Sequence, residues 1–137
     1  MNKEKLMQAA LEAKARAYAP YSNFSVGAAV LTKEGKIYTG ANIENSSYSL
    51  TCCAERVAIF NALSAGEREF KALAVVGDTE TPITPCGACR QVMDEFFDEH
   101  VEIILLNTKG AYRMTNIAEL LPASFIFERR NNNPPKK

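Results

Sequence analysis

The residues of this chain best suited to chemistry are its cysteines and one carboxylate. Cys86 and Cys89 follow Pro85 at C-x-x-C spacing, and Cys53 stands two residues ahead of Glu55. In a reducing compartment this pattern favours metal or redox chemistry over a disulfide framework. Cys53 falls at the start of one expected helix, Cys86 and Cys89 at the start of another. Helix amino termini lower thiol pKa, so all three are biased toward the thiolate that binds Zn2+. Three protein ligands leave a tetrahedral ion with one open position, which is the catalytic arrangement; a structural site would normally be closed by a fourth. Taken alone, Cys86 and Cys89 have a thioredoxin-like redox pair as the obvious alternative, and Glu55 alone is a first-turn acid that suits the helix dipole. Together they read differently. Glu55 can approach the open coordination position without ligating the metal, where a carboxylate beside activated water shuttles protons. Cys52 is expected to be a buried bystander thiol. His100, the single histidine, is expected at the surface, and with no other histidine a Ser-His triad cannot be built.

These residues need elements to carry them. Asn2 can cap a first helix, near Lys3 to Tyr18, which Pro20 forbids from continuing. Val26 to Thr32 and Lys36 to Ala41 are β-rich runs joined by Lys33-Glu34-Gly35, an antiparallel pair. Residues 42 to 52 are polar and hydroxyl-rich and read as a loop. Helical periodicity resumes over Ala54 to Ala65 through Val57, Phe60 and Leu63 and stops at Gly66. Leu73 to Gly77 is a short apolar strand, Asp78 to Pro85 a loop, and Gly87 to Phe97 a third helix. Val101 to Asn107 is another strand, Ala111 to Thr115 a possible fifth, and Ile117 to Leu121 a last short helix ended by Pro122. Strand, helix and strand in succession make a parallel crossover, so the sheet is expected to be mixed, with the hairpin at one side. No internal repeat is evident.

Cys53-Ala54-Glu55 followed by Pro85-Cys86-Gly87-Ala88-Cys89 matches the zinc deaminase signature, with Cys in place of its His. The likeness then widens. The chain resembles the cytidine deaminases of the small, three-cysteine bacterial type through Tyr18-Ala19-Pro20-Tyr21-Ser22, Phe24-Ser25-Val26-Gly27-Ala28-Ala29 and Gly40-Ala41-Asn42-Ile43-Glu44-Asn45. It continues through Cys53-Ala54-Glu55-Arg56, Pro85 to Gln91, Glu119-Leu120-Leu121-Pro122 and Phe125. The resemblance implies a three-layer α/β/α sandwich with a mixed five-stranded sheet, assembled as a homotetramer with shared active sites. It implies one Zn2+ per subunit on Cys53, Cys86 and Cys89, Glu55 as proton shuttle, and deamination of free cytidine and deoxycytidine to uridine and deoxyuridine plus ammonia, a step of pyrimidine salvage. By the same likeness Phe24 packs against the pyrimidine, Asn42 and Glu44 hydrogen-bond the ribose, chiefly its 3′-hydroxyl, and the Ala54 N–H donates to the base carbonyl. Tyr48 and Phe125 resemble residues lent to a neighbouring subunit's site.

Some of this also follows from charge. Three thiolates on Zn2+ carry a net charge of about −1, which weakens the acidity of bound water. Arg56 and Arg90, each following a ligand closely, resemble the family's pair of guanidinium groups that offset it. Glu44 would repel a phosphate on the 3′ oxygen, so polynucleotides are expected to be excluded. The rivals are a relative acting on another aminopyrimidine, such as a nucleoside antibiotic, or on a base within nucleic acid, and a non-catalytic zinc module of the same fold. The retained Glu55 and missing fourth ligand oppose the last.

Composition sets the outer bounds. The chain has 137 residues, which favours one domain, expected over 1–127 with 128–137 a flexible tail. A hydrophobic fraction of 47% and a charged fraction of 23% exclude disorder, collagen and coiled coil. Lys and Arg number 16 against 16 Asp and Glu, so no field strong enough to hold nucleic acid or an anionic membrane is implied. The first residues lack an apolar signal-peptide core and no apolar run approaches the ~18 residues of a spanning helix, so the chain is expected in the cytoplasm.

Overall fold

A computed structural model describes residues 2–127. The tail from Glu128, expected to be flexible, lies outside the described residues. Helix α1 (Lys3–Lys14) opens as expected, with Asn2 Oδ1 accepting a hydrogen bond from the Lys5 N–H at 3.1 Å. It ends earlier than the expected Tyr18. The Tyr18 N–H donates to Asn42 O at 2.9 Å, and Tyr18 O accepts from the Glu44 N–H at 2.8 Å. The backbone groups that another helical turn would use are thus taken by a distant segment, which forms an isolated bridge between Tyr18 and Ile43.

Strands β1 (Val26–Thr32) and β2 (Ile37–Ala41) form the expected antiparallel hairpin. Lys36 stays in the turn because its N–H bonds Thr32 Oγ1 at 3.0 Å. The 42–52 segment is more ordered than a loop: Ile43 bridges Cys52 with both backbone bonds at 2.9 Å, and Tyr48–Leu50 forms a 3-10 turn. Helix α2 (Ala54–Ser64) follows. Strand β3 (Phe70–Gly77) starts three residues before the expected Leu73, because Phe70 is buried with its ring 5.5 Å from that of Phe97 and pairs with Thr32 across a register shift. Helix α3 (Gly87–Phe96) stops one residue short, as Phe97 turns to extended geometry. Strands β4 (Glu102–Asn107) and β5 (Tyr112–Thr115) and helix α4 (Ile117–Leu120) complete the chain. Ala111 remains outside β5, its N–H bonded to the Asn107 side chain.

The sheet order is β2-β1-β3-β4-β5, with β3 and β4 parallel and the other pairs antiparallel. Successive strand residues point to opposite faces. Ala28, Val30, Leu73, Val75, Ile103 and Leu105 therefore pack one way, against Ala58 and Ile59 of α2, Met93 of α3 and Ile117 of α4. Ala29, Leu31, Ala72, Ala74, Val76 and Ile104 pack the other way, against Leu6 and Ala10 of α1. With both faces covered, β1 is buried along its whole length, as its unbroken apolar run requires. The architecture is the expected three-layer α/β/α arrangement around a mixed five-stranded sheet.

Candidate metal centre

Helix α2 lies directly on the hairpin because Gly40 has no side chain. A Cβ there would stand 2.4 Å from Ala58 N and 2.8 Å from Ala54 O. This seating fixes where the helix begins, and Cys53 is its N-cap residue, without a side-chain cap bond. Helix α3 starts beyond the carboxyl end of β3, the end at which open α/β sheets place their ligands, with Cys86 as its N-cap.

The two helix starts converge. The Sγ atoms of Cys53, Cys86 and Cys89 all lie within 4.8 Å of one another, with Cys53 and Cys86 3.8 Å apart. Tetrahedral coordination at a Zn–S distance of ~2.3 Å demands a sulfur separation of ~3.8 Å, so the donor set fits the ion. No fourth His, Cys, Asp or Glu joins the group among the described residues, which leaves one coordination position open. Cys52 is outside the group. A hydrogen bond from Cys89 and the Arg56 guanidinium, outweighing burial, draw the Cys53 thiol down to about 5. Cys89 is pushed up because it keeps the proton it gives Cys53 and because it is fully buried. The site is therefore prepared to exchange a proton for a metal, since ligands must ionise to bind.

Glu55, in the first turn of α2, is 4% exposed. Burial pushes its carboxyl up to about 7; its own backbone N–H and Arg56 pull the other way, while the Cys53 charge adds to the rise. A carboxyl near neutrality can both take and give a proton. The two arginines differ. Arg56 Nη2 donates to Cys53 Sγ at 3.3 Å. Arg90 donates from Nε to Pro85 O and from Nη1 to Leu120 O, both at 2.8 Å, bracing the turn that carries Cys86 instead of meeting a sulfur.

The residues expected to meet substrate are distributed around this centre. Ala54 is fully buried at the first position of α2. Asn42 is buried, its Oδ1 accepting from the Val26 N–H and its Nδ2 donating to Phe24 O, each at 2.8 Å. Phe24 rests over the end of β3, where a Cβ on Gly77 would lie 3.2 Å from its Cζ and 2.7 Å from Ile83 Cδ1. Glu44 accepts from the Tyr21 and Ser22 N–H groups at 2.9 and 3.1 Å and from the Ser22 hydroxyl. The Ser22 hydroxyl chiefly, against burial, lowers its carboxyl below the usual range. Tyr21, Ser22, Glu44, Tyr48 and Thr51 line an open pocket of about 340 Å3. The thiols are not among its walls; the Ile43–Cys52 bridge joins the two regions. Tyr48 is 75% and Phe125 71% exposed, with Phe125 O accepting from Gln91 Nε2 at 3.2 Å. Sequence reasoning gave no role to Ser22 or Ile83; a hydroxyl two residues before an expected substrate aromatic was the available signal for the first.

An α/β sandwich that gathers three thiols and a buried carboxylate at two helix starts defines a zinc-dependent protein of the deaminase class. Residues 1–105 match the family model of the cytidine and deoxycytidylate deaminase zinc-binding region. A cytidine deaminase of Sporosarcina psychrophila is 55% identical over 128 residues, covering 93% of this chain and 94% of that protein. One of Halalkalibacterium halodurans is 48% identical over 132 residues, covering 96% and 100%. The crystal structure of cytidine deaminase from Burkholderia pseudomallei matches with a TM-score of 0.89 at 54% identity, covering 91% of this chain and 100% of that one. The chain belongs to the cytidine and deoxycytidylate deaminase family, and its cofactor is zinc. No helix among the described residues is long and apolar enough to cross a membrane.

Proposed function

We propose that this chain catalyses the zinc-dependent hydrolytic deamination of free cytidine and deoxycytidine to uridine and deoxyuridine plus ammonia, as a step of pyrimidine salvage in the cytoplasm. The observation that carries this reading is the open three-thiol cluster beside buried Glu55, supported by the names of the relatives. Cys53, Cys86 and Cys89 would hold the ion. Zinc, when bound, supplies a Lewis acid that makes water nucleophilic near neutral pH.

Glu55 takes one proton from the attacking water as its oxygen adds to C4 and gives it to N3; it then takes the remaining proton from the C4 hydroxyl and gives it to the amine, which leaves as ammonia while the C4 carbonyl forms. Its burial suits this role, because the carboxyl is held near neutrality where both transfers are feasible. Arg56 opposes the surplus negative charge at Cys53. Phe24 supports the pyrimidine face, the Ala54 N–H meets the base carbonyl, and Asn42 and Glu44 receive the ribose. Asn42 already bonds Phe24 O and the Val26 N–H, so it holds the aromatic shelf while offering its remaining hydrogen-bonding capacity. The charge of Glu44 works against 3′-phosphorylated substrates and hence against nucleic acid.

Exposure of Tyr48 and Phe125 supports a homotetramer in which each subunit completes a neighbour's pocket. The deciding experiment is ammonia release from cytidine, run beside Glu55→Gln with metal analysis on both proteins. The variant is expected to keep zinc and lose at least about 10²- to 10⁴-fold in kcat. Near-normal turnover at full zinc would remove Glu55 from the mechanism.

A further inference from the structure

Ser22 joins the side chain expected to face the ribose to the backbone of the residue expected to face the base. Its hydroxyl donates to Glu44 Oε2 and accepts from the Phe24 N–H at 3.1 Å. Its own N–H and that of Tyr21 converge on the other oxygen, Oε1, at 3.1 and 2.9 Å. Between Ser22 and Phe24, Asn23 takes a left-handed conformation, φ 56°, with its N–H bonded to Ala19 O at 3.0 Å. Asn is one of the few residues that adopt this geometry readily. The turn is therefore closed on itself, and three of its bonds, from the Tyr21 and Ser22 N–H groups and the Ser22 hydroxyl, end on Glu44.

An ionised carboxylate has about four acceptor positions. Two are filled on Oε1 and one on Oε2, so Glu44 has a single position left, on Oε2, in a fixed direction. We propose that Ser22 is a positioning residue for specificity: its hydroxyl aims the last acceptor of Glu44 and ties that aim to the backbone of Phe24, setting ribose recognition and base recognition to one another. This rests on the reading that Glu44 receives the ribose. Without the bridge the Tyr21 and Ser22 N–H groups would still hold Oε1, but Oε2 would be free to swing about that anchor, and a nucleoside would then have to order it on binding.

The test is a double-mutant cycle on the zinc-loaded protein with Ser22→Ala, Glu44→Ala and both together, reading KM and kcat for cytidine with zinc content and Tm as controls. Ser22→Ala is expected to raise KM about 10- to 100-fold, the scale of a hydrogen bond to a charged group, with kcat within about twofold. Ser22→Thr, which keeps the hydroxyl, should return KM close to the parent. In the Glu44→Ala background, Ser22→Ala should add much less than it does alone, because most of its effect passes through the carboxylate and only the bond to the Phe24 N–H remains to be lost. Equal effects of Ser22→Ala in both backgrounds, or an unchanged KM on its own, would overturn the proposal while Glu44→Ala still raises KM. If Glu44→Ala leaves KM unchanged, the ribose reading fails and the proposal falls with it. Should Ser22→Ala fail to fold, Ser22→Cys, close in shape but a much weaker donor, goes through the same cycle.

Discussion

Gly40→Ala tests whether the seating of α2 on the hairpin sets the metal centre. The added Cβ would meet Ala58 N at 2.4 Å, Ala54 O at 2.8 Å and Val57 C at 2.9 Å. All three are backbone atoms of α2, so no change of rotamer relieves them. Ordinary contact begins at 3.4 Å, and 3.4 − 2.4 gives a retreat of 1.0 Å by the helix if the sheet holds still. Overpacking of this kind costs about 1–3 kcal/mol, and in a domain of this size lowers Tm by roughly 3–10 °C. The chemical penalty is expected to be larger. Cys53, Glu55 and Arg56 ride on α2, whereas Cys86 and Cys89 ride on α3. Ligand distances tolerate only about 0.2 Å, and a misplacement of about 1 Å costs on the order of 10² in rate.

The purified variant should thus show weakened zinc retention against a chelator and a kcat/KM for cytidine reduced by about 10², with the sheet still folded by circular dichroism. Thermal unfolding, metal analysis and ammonia release from one preparation supply the three readings. Parent-like Tm, zinc and kcat/KM together would refute the argument, because they would mean that the hairpin yields without moving the helix.

Replacing Cys53, Cys86 or Cys89 by Ala should release zinc and abolish ammonia production, whereas Cys52→Ala, outside the thiol cluster, should do neither; metal analysis reads the contrast, and loss of zinc from Cys52→Ala would shift the ligand assignment by one residue. Phe125→Ala should raise KM or lower kcat while light scattering still shows a tetramer, and a fully active monomer would refute the shared pocket. Glu44, whose carboxyl the Ser22 hydroxyl chiefly lowers, should lose its charge at a lower pH than an ordinary glutamate, so between neutrality and mildly acid pH the KM for cytidine should change no more in the parent than in Glu44→Gln. A rise in KM over that range in the parent that Glu44→Gln abolishes would contradict this.

The thiol set was legible because metal ligation depends on residue type and on position at helix starts, and both survive in sequence. The end of α1 was not: nothing local stops the helix at Lys14, and the stop arises because Tyr18 is bonded to Asn42 and Glu44, more than twenty residues away. The same long-range pairing hid the structural part played by Asn42, whose amide holds Phe24 and Val26 in place. Arg56 and Arg90 show the limit of pattern most directly. Arg56 lies three residues beyond the N-cap Cys53, on one face of α2, and reaches its sulfur. Arg90 lies four residues beyond the N-cap Cys86, equally a spacing at which side chains meet, yet it turns to the carbonyls of Pro85 and Leu120. The guanidinium bonded to a thiol in this subunit is thus that of Arg56, whereas Arg90 fastens the Pro85-Cys86 turn to the end of α4, so that the thiol pair on α3 is referenced to α4 while Cys53 is referenced, through Gly40, to the hairpin.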